Sequence, residues 1–78
     1  MGRIIIANRH GDRTVEWDPR ADTEEGRAAV RRAEEIIAEA RAKGCAISRK
    51  EGTRHVLDRN PFDPQTEEYQ IIAPIEGG

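Results

Sequence analysis

Cysteine occurs once in this chain, and tryptophan, tyrosine and phenylalanine once each. A single thiol excludes an internal disulfide framework and any cysteine-rich zinc site. No apolar run approaches the roughly 20 residues needed to span a bilayer, and Ile4–Ala7 is too short even for a secretory signal core. The 13 Lys and Arg against 15 Asp and Glu leave a net charge of −2, so the dense basic surface that drives nucleic-acid binding is missing. Gly-rich phosphate loops are missing too, since Gly11, Gly26, Gly44 and Gly52 stand alone. With 78 residues and 36% hydrophobic content, the chain supports one domain with a thin core. Domains of this size bury only about 60% of their unfolded surface, so stability is expected to be marginal unless a partner contributes. A large cofactor cavity has little material to line it, and no cofactor is expected. The reading is of a soluble, cytoplasmic domain without a membrane or nucleic-acid partner.

Arg3-Ile4-Ile5-Ile6-Ala7 is a β-branched run. The turn cluster Asn8–Asp12 follows, and Arg13–Trp17 then alternates with Val15 and Trp17 on one face. Two such runs across a Gly-containing turn predict an antiparallel hairpin. Asp22 or Thr23 can cap a helix, and Glu24 and Glu25 suit its positive end. The spacing of Ala29, Val30, Ala33, Ile36, Ile37 and Ala40 predicts a helix over about Thr23–Lys43, with Gly44 as its C-terminal stop. Cys45–Ser48 reads as a strand, Arg49–Thr53 as a polar turn and His55–Leu57 as a brief return strand. Asp58–Pro64 is a loop with Phe62 plugging the core edge. Glu68–Ile75 is the last strand, with Tyr69, Ile71, Ala73 and Ile75 on one face. One helix over one face of a mixed sheet buries both apolar stripes. Val30, Ala33, Ile37 and Ala40 should then pack on Ile4, Ile6, Val15, Trp17, Ile47 and Ile71. A right-handed crossover brings either the third or the last strand beside the first.

Alternation places Ile5 and Ile72 on the opposite face, where they form either a partner-binding patch or ordinary exposed surface. The remaining reactive residues favour structural roles. Cys45 has no base at a telling distance in sequence and reads as a buried structural cysteine. His10, His55, Asp12, Asp58 and Asp63 lack the spacing of metal ligands, so no metal site is expected. Arg31, Arg32 and Arg41 alternate with Glu34, Glu35 and Glu39 in the manner of a solvated helix face. No catalytic residue stands out, and the chain does not read as an enzyme. Gly77-Gly78 differs in kind: without Cβ atoms, two glycines can thread a narrow channel in extended form and present a carboxylate.

In its order of elements, from the hairpin at Arg3–Trp17 through the helix to a last strand before Gly77-Gly78, the chain resembles the ubiquitin-like β-grasp family. Its closing Ile72-Ala73-Pro74-Ile75-Glu76-Gly77-Gly78 is similar to the ends of short bacterial and phage proteins of that class. The resemblance implies one α+β domain over 1–78, with four to five strands in a mixed sheet, one long helix on one face and 76–78 as a tail. It implies a protein modifier or sulfur carrier. A partner activating enzyme would adenylate the Gly78 carboxylate, which would then pass to a target protein or sulfur donor. Glu76 stands where eukaryotic modifiers often carry a basic residue, and Pro74 stiffens the approach, which points to a bacterial or phage activating partner. The alternative is a small phage virion or tail-assembly protein, located in the virion, that packs on a structural partner without chemistry.

Overall fold

A computed structural model describes residues 1–7 and 11–72. Its elements are β1 (Gly2–Ile6), β2 (Arg13–Trp17), α1 (Glu24–Ala42), β3 (Ala46–Glu51), β4 (Arg54–Leu57) and β5 (Glu68–Ile72). The hairpin turn Asn8–His10 lies outside the described residues. So do the expected strand residues Ala73–Ile75 and the segment Glu76-Gly77-Gly78.

The strands form one mixed sheet in the order β2-β1-β5-β3-β4. β1 pairs antiparallel with β2, placing Ile4 opposite Val15, and β3 pairs antiparallel with β4 and with β5. The crossover through α1 brings the last strand, not the third, beside the first: β5 runs parallel to β1, with Ile4 opposite Tyr69. One helix packs on one face of five strands. This is a small α+β domain of β-grasp-like arrangement.

Local chemistry sets the helix ends. Thr23 is the N-cap, and its Oγ1 accepts the Gly26 N–H at 3.0 Å. Asp22, the other candidate cap, instead holds Arg27 Nη1 at 2.9 Å. At the far end Gly44 adopts φ +82°, and the Lys43, Gly44 and Cys45 amides return to the carbonyls of Glu39, Arg41 and Ala40. Every third or fourth residue of α1 is buried, at Ala33, Ile37 and Ala40. These meet Ile4, Trp17, Ile47, Tyr69 and Ile71 from the sheet, with Ile6, Val15, Ala29, Val30 and Phe62 packed around them. The expected core is therefore the observed one, enlarged by Tyr69.

Phe62 plugs the core edge as an aromatic neighbour of Trp17, at 5.1 Å between centroids and 66° between planes. The loop that carries it is pegged by polar atoms. Trp17 Nε1 donates to the Pro64 carbonyl at 2.9 Å, and Tyr69 Oη accepts the Asp63 amide at 2.9 Å.

Two local expectations are corrected. Arg49–Glu51 extends β3 where a turn was expected, because Gly52 and Thr53 alone close the hairpin to β4. Of these two residues Gly52, at φ +65°, has positive φ and Thr53 does not, as a II′ turn requires. Cys45 is half-buried rather than buried: it precedes β3 and packs at the rim of the core.

Candidate functional site

The sheet face away from α1 follows from period-two alternation. Ile4, Tyr69, Ile71 and Ile47 point to the core, so Ile5, Glu68, Gln70, Ile72, Ala46 and Ser48 occupy the outer face. Ile5 sits opposite Gln70 on β5, and Ile72 sits opposite Ala46 on β3. Leu57, on the edge strand β4, sits opposite Ser48 and diagonal to Ala46. Ile5, Ile72, Ala46 and Leu57 thus form an apolar band across four strands. Leu57 is 73% exposed and Ile72 48% exposed, while Ile5 is half-buried. Covering an aliphatic side chain of this size contributes about 1.5–3 kcal/mol, which makes the band a suitable surface for a partner.

Beside the band runs a polar relay. Glu68, buried on β5, accepts Arg3 Nε from β1 at 2.7 Å on Oε1. Its Oε2 lies 2.7 Å from His55 Nε2, which reaches across β3 from β4. The other ring nitrogen, Nδ1, faces Ser48 Oγ at 3.3 Å. With Nε2–H donated to Glu68, the Ser48 hydroxyl can either donate to Nδ1 or accept from it, so each group is satisfied in both ring forms. Burial pushes the Glu68 carboxyl up, but the hydrogen bonds and charges of Arg3 and His55 outweigh it and hold the group below its ordinary range. Lys50, between His55 and Glu68 on the same face, leans to Glu67 at 3.7 Å.

Ser48, His55 and Glu68 have the residue types of a nucleophile–base–acid relay. Their geometry is that of a clamp: Ser48 lies buried within a strand, and none of Ser48, His55 and Glu68 lines the larger clefts among the described residues. The relay ties β1, β5, β3 and β4 together on the face that carries the apolar band.

The site residues singled out from sequence therefore divide. Ile5 and Ile72 lie on one face and in one band. Gly77 and Gly78 lie outside the described residues. Leu57, Ala46 and the relay were missed. Alternation along β5 groups Glu68 with Ile72, but only the strand order brings His55 and Leu57 to them. Among the described residues no three His, Cys, Asp or Glu side chains converge on a metal-sized site, and no helix is long and apolar enough to cross a membrane. No protein-family model, curated protein or solved structure matches the chain.

Proposed function

We propose that this domain acts by being recognised and transferred, as a ubiquitin-like protein modifier or sulfur carrier. The supporting observation is the place of Ile72. It closes β5, contributes to the exposed apolar band opposite Ala46, and stands on the same run of chain as Gly77-Gly78. An activating enzyme docked on the band would have the diglycine segment within reach along the chain. In this reading the Gly78 carboxylate attacks the α-phosphate of ATP and pyrophosphate leaves. A thiol, amine, hydroxyl or sulfur donor then takes the acyl group and AMP departs. The domain itself supplies recognition and the diglycine carboxylate, and the partner supplies catalysis.

The test is intact-mass measurement after incubation with ATP and each of a panel of bacterial adenylating enzymes. The expected result is an ATP-dependent mass gain in the wild type that is lost when Gly78 is deleted. No gain with any enzyme, or the same gain without Gly78, overturns the reading.

The edges of β2 and β4 favour a second reading, because unpaired strand edges can add to another chain. A virion or tail-assembly protein would use them to pack on a structural partner. In that case the Gly78-deleted chain would still be incorporated into particles.

A further inference from the structure

A cleft of about 340 Å³ opens between the first half of α1, the turn after β2 and the loop before β5. Its lining is Pro19, Ala21, Val30 and Pro64 together with Arg27 and Arg31. The two prolines are held in place. Pro64 is fixed through its carbonyl by Trp17 Nε1 at 2.9 Å, and the Pro19 turn closes through Ala21 N to Asp18 O at 3.2 Å. Gly26 sets the place of Ala21: a Cβ there would overlap Ala21 Cβ, so glycine lets the first turn of the helix sit against Ala21. Little conformational freedom is left to lose when something enters.

The charged residues that line this cleft are of one sign. The groove along β2 mixes Arg13 and Arg32 with Glu16 and Glu25. The cleft on the other side of the two prolines mixes Arg20 with Asp18 and Glu67. Here both charged residues are arginines, one helical turn apart. Arg31 makes no ion pair among the described residues, and Arg27 holds only the 98%-exposed Asp22, a surface pair of little strength.

We propose that this cleft binds an extended acidic peptide segment of a partner protein. One apolar side chain inserts between Pro19 and Pro64, and two carboxylates engage Arg27 and Arg31. The volume lies at the lower end for ligand pockets, which fits a single bulky side chain. Side chains four apart on a helix stand about 5–6 Å apart. Alternate side chains of an extended peptide stand about 6.6 Å apart, so acids at alternate positions match the two arginines. The recognised pattern is an apolar residue followed at the second and fourth positions by acids, all on one side of the strand. Guanidinium–carboxylate pairing supplies orientation as well as attraction. This site is independent of the diglycine segment and of the outer sheet face.

The probe is a fluorescein-labelled, C-terminally amidated Phe-Ser-Asp-Ser-Asp peptide, titrated with the full chain and read by anisotropy. Saturable binding is expected, weakened by about tenfold or more in Arg27→Glu/Arg31→Glu and in Arg31→Ala. Arg32→Glu, on the neighbouring groove, should bind as wild type does, and thermal melts should show all variants folded. Replacing the peptide phenylalanine by glycine should also weaken binding about tenfold or more. Amide shifts in the NMR spectrum should centre on Ala21 and Val30, with the Trp17 indole N–H following. Absence of binding at millimolar concentration, affinity indifferent to both arginine variants, or shifts centred on β4 and β5 would overturn the proposal. Equal displacement by a short oligothymidylate would overturn it too, showing an anion site without peptide recognition.

Discussion

Trp17 lies directly over Gly2, its partner across the β1–β2 ladder. A Cβ built on Gly2 would overlap Trp17 Cε2 and Cζ2 and stand 2.8 Å from the Thr66 carbonyl. The largest side chain of the core is therefore housed by the smallest residue of the opposing strand. Gly2→Ala should destabilise the domain by about 1–3 kcal/mol, because the backbone carbonyl cannot give way as a side chain would. Urea titration measures the loss, and the emission of this single tryptophan should shift to the red. A variant with unchanged midpoint and emission would show that Trp17 packs elsewhere.

Ile37 is 1% exposed at the centre of the helix–sheet contact. Ile37→Asp places an unpaired charge there and should unfold the chain at 25 °C. Ile37→Ala removes only volume and should cost about 2–5 kcal/mol. Circular dichroism melts distinguish the two: a native-like melt for the aspartate variant would contradict the assigned helix face.

Glu68→Gln separates the relay from the rest of the sheet. The carboxylate accepts the charged guanidinium of Arg3 and the ring N–H of His55, so its loss should cost about 1.5–3 kcal/mol at pH 7. The sign of the pH dependence follows from the lowered carboxyl. Its stabilisation is complete above the ordinary glutamate value of 4.5 and fades as pH falls through the lower folded value. The gap between wild type and Glu68→Gln should therefore close on acidification below that value, in denaturant midpoints taken across the range. A gap that stays constant would place the stabilisation outside the carboxylate's charge.

Leu57→Lys combined with Ile72→Lys changes the outer band without touching the core. Exposed substitutions of this kind usually stay within about 0.5 kcal/mol in stability. ATP-dependent adduct formation, where it is obtained with the wild type, should fall sharply in the double variant while the melting temperature holds. Undiminished adducts would show that recognition uses another face.

Gly52→Ala tests the β3–β4 turn. At φ +65° an L-residue is strained, and about 1–2 kcal/mol of stability should be lost. Since β4 also carries His55, the variant should raise hydrogen exchange at the His55 and Leu57 amides ahead of those in β1.

Most of the architecture was legible in the residues, for identifiable reasons. The capped, periodic stretch around Ala33 and Ile37 had one reading, and alternation placed Val15, Trp17 and Ile71 inward correctly. The end of β3 was not legible. Arg49, Lys50 and Glu51 are polar, and their strand conformation comes from pairing with β4 and β5 rather than from their own propensity. The role of Gly2 could not be read either, because it depends on which side chain lies opposite. The same holds for the relay: Arg3 and Glu68 are 65 residues apart and His55 belongs to a third strand, so no local spacing announces them.

The parallel pairing of β1 with β5 also governs how the chain is made. The first and last of the described strands, β1 and β5, are neighbours at the middle of the sheet. On the ribosome, β1 and β2 can form a hairpin early, but an isolated hairpin is marginal in water. Its inner flank stays open until β5 emerges. Such contacts of high sequence separation slow folding and leave a strand edge available to wrong partners in the interval. Chains truncated before Glu68 should therefore accumulate as aggregates rather than as smaller folded domains, because folding waits on the arrival of its own central strand.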